Sequence, residues 1–482
     1  MKKFIITLTA MIIAVTAIAR KPRLDLYRDE QPTDTVYSST YYLVAVTDPG
    51  AQAWIKGKPC KVYKTGSFGA EIKLNEGENM VPVKVQEGKN KTQRDVRLVY
   101  VKRQRNNNPI LQDTPLPTPL NVVTLDGAYL QNGNGNDRLG GSKMGFIGPD
   151  IPLTAVAECG DLYRVALGQS RYAYLPKEYA TEGGEGCQTV NTSSASITNI
   201  GRADRLSISL PRRLPFSYTT EINPCEIKIK LYGATNNSNW ITQRNALGMI
   251  DFVDFRQEDS DMLTIVIRLK EKYAWGYSVN YEGNNLVIDV RHRPASLEIK
   301  DLVIGLDAGH GGEFPGAVSP SGLTEKEVNL DIVLKAKTML EQMGSTVVLT
   351  RDSDTGPSMT ERKKIWRDAN VDIAISVHNN ASGNPLEPMG TSVYYKHLSN
   401  LPLATALHDS MLGLGVADYG LTGNFNFSLN GPTEYPNALV ECLFMSSLPE
   451  EELLADDAYR AQIARHIVDG LLNYLSTVKS LR

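Results

Sequence analysis

What this chain has little of narrows the possibilities first. It carries no marked excess of either charge: 51 Lys and Arg stand against 54 Asp and Glu, for a net charge of -3. That removes the basic footprint of a nucleic-acid-binding protein. Beyond residue 19 no apolar run approaches the roughly 20 residues that a membrane-spanning helix needs. Cysteine is scarce, with only Cys60, Cys159, Cys187, Cys225 and Cys442. An odd count allows at most two disulfides and leaves at least one thiol free, and the spacing matches no zinc-cluster pattern. Cys442 lies inside the apolar run NALVECLFM and reads as a buried structural thiol.

What is present points to a multidomain protein. The 482 residues, 41% hydrophobic and 22% charged, suffice for roughly three or four globular domains. The first 19 residues, MKKFIITLTAMIIAVTAIA, combine two lysines, an apolar stretch and a small-x-small ending. This pattern predicts a secretory signal peptide cut before Arg20, leaving no membrane-spanning segment after cleavage and an exported protein of the periplasm or cell envelope.

Three β-rich blocks follow. Residues 38–103 alternate apolar and polar positions between turn signals such as DPG and TGS, which predicts a small β-sandwich. Residues 104–118 are polar and proline-rich and read as an extended linker. Short strand candidates over 119–180, ending in YRVALGQSRYAYLP, resemble a bacterial SH3-like module. Residues 181–192 read as a second linker. Alternating strands over 193–293, closing on LVIDV, resemble the envelope-targeting AMIN module.

From residue 301 the texture changes. Buried-type strands alternate with amphipathic helices, the signature of a mostly parallel sheet flanked by helices over 301–478. The expected fold class is therefore three small all-β domains followed by an α/β hydrolase domain. Three polar residues close separate apolar strands of that sheet: His310 in GLDAGHGG, His378 in DIAISVHNN, and Glu441 in NALVECLF. Glu325 opens the first helix. In an open α/β sheet the carboxyl ends of the strands converge on one crevice. Two imidazoles and a carboxylate make a catalytic zinc set, and the remaining carboxylate suits a general base. Each residue also has a plain structural use: a strand-end His caps backbone groups, and a helix-start Glu favours the helix dipole. Glu441 is the hardest to explain that way, because a carboxylate inside an apolar run is costly without a partner.

The stretches IGLDAGHGGEFPGAVSPSGLTEKEVNLDI, VVLTRDSD, MTERKKIWRDANVDIAISVHNNAS and NALVECLFMSS, in that order, resemble the catalytic domain of the zinc-dependent N-acetylmuramoyl-L-alanine amidases. The resemblance implies that His310, Glu325 and His378 hold zinc. It implies Glu441 as general base toward a water on that zinc, and cleavage of the amide joining N-acetylmuramic acid to the L-alanine of the stem peptide. The glutamate of the family's EK pair points to Glu325 rather than Glu327. Peptidoglycan is the implied partner, with an envelope or divisome activator protein as a candidate second. The interval 378–441 shows no spare helix of the kind that blocks the site in some relatives, so self-blocking is not expected. Asn380 and Arg351 are candidate substrate contacts, and Arg362 is equally well explained by salt-bridging. His292, His397, His408 and His466 read as surface residues. Phe314 departs from the family's usual Asp, VECLFMSS from its usual ending, and an Arg often found upstream of that strand is not evident. The rival readings are another exported zinc peptidase or amidohydrolase, and a wall-binding protein with a decayed site.

Overall fold

The structure, a computed structural model, describes residues 20–27, 35–102, 111–135, 139–168, 170–381 and 383–480. The expected signal peptide, residues 1–19, lies outside the described residues. The chain divides into two compact units, residues 1–104 and 105–482.

The first unit packs two sheets face to face. Asp25–Leu26, Thr40–Val46 and Ser67–Lys73 form one, so strand structure begins ahead of the expected residue 38. The long hairpin Gly77–Glu87 and Asn90–Tyr100, with Gln52–Ile55, Lys58–Cys60 and Thr35–Val36, forms the other. Val81, Val83 and Val85 are fully buried at every second position, as a half-buried strand requires. They meet Leu43, Ala45, Phe68 and Ile72 of the smaller sheet in one core.

Among the described residues the second unit opens with four β-sheets, of seven, two, five and four strands. Three expectations are corrected here. Thr114–Thr124 is a single strand, so residues 114–118 are sheet rather than linker. Its prolines fall at 115, 117 and 119; Pro115 is in register with Ala157, while Pro117 and Pro119 lie in the irregular stretch before Leu120 pairs with Ala155. Prolines are tolerated in a strand at such an irregularity and along a free edge. The second expected linker, 181–192, is likewise pinned by the strand pairs of Ala180–Glu182 and Val190–Asn191. The blocks expected as separate SH3-like and AMIN-like domains also share one continuous core, running from Val122 and Leu153 through Phe216 to Val290. All five cysteines are free thiols, and Cys442 is fully buried.

The α/β domain carries the elements β1 (Val303–Ala308), α1 (Glu325–Gln342), β2 (Thr346–Leu349), α2 (Met359–Asp368), β3 (Ile373–Asn380), β4 (Thr391–Tyr394), α3 (Leu401–Leu412), β5 (Asp418–Thr422), β6 (Asn437–Phe444), α4 (Leu448–Ala455) and α5 (Asp457–Ser480). The sheet order is β2-β1-β3-β6-β4-β5, parallel except where β4 meets β6. All eight residues of β6 are buried, as befits a strand covered on both faces. Helix α1 buries Val328, Ile332, Val333, Ala336 and Leu340 on one stripe. Helix α2 starts with a capping box in which Ser358 and Glu361 satisfy each other's backbone N–H. Helix α4 and strand β5 are additions to the pattern expected from sequence. Among the described residues no helix is long and apolar enough to cross a membrane.

The β-sheets meet the α/β domain at the amino ends of its strands. The Arg291 guanidinium donates to the Val371 carbonyl and to Asp372, both at 2.7 Å. Tyr277 and Thr433 bond each other twice through main chain and hydroxyl. Trp275 is fully buried within the α/β core and stacks on Tyr474 of α5, centroids 6.2 Å apart.

Candidate active site

The chain turns at once after β1. His310 takes the left-handed conformation, φ 63°, at a cost on the order of 1–2 kcal/mol for a residue with a side chain. Its surroundings hold it there. Arg362 donates to the His310 carbonyl at 2.7 Å, and Gly311 and Phe314 exchange two main-chain bonds at 3.0 and 3.1 Å. Glycine is required at two neighbouring points. A Cβ on Gly309 would stand 2.2 Å from the His378 ring, and one on Gly316 (φ 72°) 2.5 Å from Glu325 Oε2. Main chain approaches both side chains too closely for any other residue.

Glu325 is the first residue of α1 and is 4% exposed. Its Oε2 accepts from the Ala317 N–H at 2.8 Å and lies 3.1 Å from His310 Nε2. Its Oε1 accepts from the Asn379 N–H at 3.2 Å and from Asn329 Nδ2 at 3.3 Å, and lies 3.0 Å from His378 Nδ1. Glu327 is exposed and accepts from the Thr324 hydroxyl instead. Ligand atoms of His310, Glu325 and His378 all lie within 4.8 Å of one another, a spacing and a donor set that fit a divalent metal. Burial pushes the Glu325 carboxyl up, but its bonds to His310 and His378 outweigh this and hold it well below the usual carboxylate range. Burial alone would lower His378, yet Glu325, with Glu441 and Asp307 beyond it, carries the imidazole from 6.5 up to about 9.

Glu441 stands in β6, in register with His378 of β3 on one side and Ser392 of β4 on the other. It is 8% exposed. The next strand over from the second histidine therefore delivers a buried carboxylate beside the cluster.

Behind the cluster lies a network that sequence reasoning missed. Asp307 of β1 is fully buried and accepts from Thr350 at 2.5 Å, Ser376 at 2.6 Å and Arg362 at 2.6 Å. Arg362 thus spans from Asp307 to the His310 carbonyl. Asn329, one turn along α1 from Glu325, donates to the Gly309 carbonyl and accepts from Asn379, whose own Oδ1 receives the Leu443 N–H. A buried Asn inside the apolar stripe EVNLDI was the available signal for it.

Arg351 is placed differently from the sequence expectation. It is 4% exposed and donates to the carbonyls of Ala308, Gly309, Ser353 and Lys326. Its guanidinium is spent on main chain around the His310 loop, which makes it a positioning residue. Asn380 ends β3 half-buried, its Oδ1 accepting from the Ala381 N–H. The other histidines are less exposed than expected and have local partners: His292 with Asp204, His397 with the Gly431 carbonyl, His408 with Asp418 and His466 with the Ser410 carbonyl.

An open α/β sheet here gathers two imidazoles and a carboxylate at its carboxyl edge, a donor set that could hold a divalent metal ion, with a second buried carboxylate one strand away. The family model described as N-acetylmuramoyl-L-alanine amidase (Amidase_3) matches residues 304–473. The amidase AmiC of Neisseria meningitidis is 31% identical over 36% of this chain and 53% of its own length. LytH of Staphylococcus aureus is 30% identical over 42% of this chain and 67% of its own. The catalytic domain of CwlV, an N-acetylmuramoyl-L-alanine amidase from Bacillus (Paenibacillus) polymyxa var. colistinus, is 32% identical over 36% of this chain and 98% of its own, with a TM-score of 0.35. The chain belongs to the Amidase_3 family of N-acetylmuramoyl-L-alanine amidases. It spans about half the length of AmiC.

Proposed function

We propose that this protein is an exported zinc hydrolase that cuts peptidoglycan at the amide between N-acetylmuramic acid and the L-alanine of the stem peptide. The observation that carries the reading is the convergence of His310, Glu325 and His378, with Glu441 in register beside His378. Two histidines and one glutamate match a three-ligand catalytic zinc site with a position left open. Zinc bound there supplies Lewis acidity to the scissile carbonyl and to a water molecule. Glu441 takes the proton of the attacking water and passes it to the stem-peptide nitrogen as the C–N bond breaks. The products are the lactyl carboxylate and the free amine of L-alanine. Arg362 and Asn329 hold the His310 loop, and Asn380 lines the cleft beyond His378. The working compartment is the periplasm or cell envelope.

Digestion of purified peptidoglycan by the full chain, followed by mass spectrometry, tests this directly. Free stem peptides beginning with L-alanine, alongside peptide-free glycan, are the expected products. Fragments cut within the peptide would make it a peptidase instead.

A second expectation concerns protons. A metal ligand must shed its proton to bind, and against burial Glu325 pushes the His378 imidazole up to about 9. Its raised value keeps it protonated at neutral pH, so zinc uptake there is expected to release close to one proton and to strengthen as pH rises toward that value. Calorimetric titration with zinc in buffers of differing ionisation enthalpy measures the release. Uptake without release would place His378 outside the metal site or neutral beforehand.

A further inference from the structure

Two exposed aromatic rings stand at the carboxyl edge of the sheet, one to each side of the proposed catalytic groups. Phe314 is 69% exposed and sits on the tight Gly311–Phe314 bridge just past His310. Tyr419 is 44% exposed and lies on β5, at the far edge of the sheet. Its position comes from a β-bulge. Thr391 pairs with Asp418 and Ser392 with Gly420, so Tyr419 is the extra residue between them. A bulge at a sheet edge re-aims a side chain, and here the Tyr419 ring meets the fully buried Phe444 edge-on at 4.8 Å. Phe444 is in register with Asn380, and Ser392 with Glu441. Burial, with Glu441 and Tyr419 nearby, raises the Tyr394 hydroxyl, two residues past Ser392. From β1 to β5 there are four inter-strand steps, about 19 Å at the usual spacing, and His378 and Glu441 lie between the ends.

Neither ring is needed for the fold as a core residue, and both are held by main-chain geometry rather than left on a loose tip. Each also has an acidic neighbour in sequence, Glu313 beside Phe314 and Asp418 beside Tyr419. Exposed rings flanked by carboxylates favour an uncharged ligand with apolar faces over an anionic peptide. Pyranose rings present such faces, and aromatic side chains pack against them with a large contact area.

We infer that Phe314 and Tyr419 are specificity-determining residues that stack on successive N-acetylhexosamine rings of a glycan strand laid across the cleft. This rests on the amidase reading above. It assigns the enzyme to stem peptides still carried on a polymeric glycan, rather than to single muramoyl peptides released by other hydrolases.

The test uses the full zinc-loaded chain and two substrates, soluble uncrosslinked strands of several disaccharides and a single N-acetylmuramoyl peptide. Combining Phe314→Leu with Tyr419→Leu keeps apolar bulk but removes both faces. Two lost stacking contacts are expected to lower kcat/KM on the strands by about tenfold, through KM, with a several-fold smaller loss on the single-sugar substrate. Binding of peptide-free glycan strands, followed by titration without turnover, is expected to weaken in parallel. Phe314→Tyr and Tyr419→Phe are expected to restore both. Equal losses on the two substrates, or unweakened glycan binding, would overturn the assignment. Failure of the unaltered protein to release peptides beginning with L-alanine from the strands would instead overturn the amidase reading, whatever the glycan titration gives.

Discussion

Exchanging Glu441 for Gln is expected to stop turnover while zinc stays bound. The neutral amide keeps the size of the side chain but cannot take a proton from water. General acid–base groups contribute about 10²–10⁴-fold, so kcat should fall by that order. Metal content should stay at the level of the unaltered protein, because the ligand cluster consists of His310, Glu325 and His378. A further signature follows from the electrostatics. Glu441 is one of the charges that raise His378, so the exchange should lower that imidazole's pKa and reduce the proton release on zinc uptake. Rate measurements on peptidoglycan, metal analysis and calorimetry read the three effects. An exchanged protein with undiminished kcat would remove Glu441 from its role, and one without metal would make it a ligand.

The largest effect on stability is expected from Arg362→Met. Arg362 and Asp307 form an ion pair whose side chains are 2% and 1% exposed. Removing one partner of such a pair leaves an unpaired buried charge and costs about 3–5 kcal/mol. The exchange also frees the His310 carbonyl, which must otherwise hold its left-handed turn unaided. The urea midpoint should fall sharply and zinc affinity with it. Adding Asp307→Asn removes the stranded charge and should recover part of the stability, but not the zinc affinity. A full recovery of both would mean that Arg362 serves only its partner. In the unaltered protein, Arg362 and the hydroxyls of Ser376 and Thr350 overcome burial and hold Asp307 below its ordinary 3.8. A depressed carboxylate stabilises the fold above that value, and the contribution drains away as pH falls through the folded-state pKa. Acid unfolding should therefore begin at a higher pH in proteins that lack this pair's other bonds.

The elements that carry the proposed ligands and Glu441 were legible because each carries a periodic pattern ending in a misfit. The apolar runs of β1, β3 and β6 stop at or contain His310, His378 and Glu441, and the stripe of α1 starts at Glu325. Helix α4 was hidden by its acids. Glu450 and Glu451 look like surface residues, yet both are buried, Glu450 accepting from the Gly390 and Phe444 N–H groups and Glu451 from that of Ser321. Strand β5 was hidden by its bulge, which breaks the period-two pattern within five residues. The stretch around Pro115 read as linker because composition does not reveal that a strand has one free edge. Arg351 could not be assigned from its neighbours, since an arginine beside a site binds substrate or main chain with the same side chain, and only the positions of four carbonyls decide.

The buried Trp275 has a consequence for how such a protein can be cut and recombined. Reading along the chain, the catalytic segment begins near residue 301, and a fragment severed there retains every proposed ligand. It does not retain its own interior, because the indole that stacks on Tyr474 and the guanidinium that ties Val371 and Asp372 are encoded upstream. The boundary visible to a gene and the boundary visible to a solvent molecule differ by some thirty residues. Any recombination that exchanges the preceding sheets must carry Trp275 and Arg291 across with the hydrolase, or supply another side chain to close that gap.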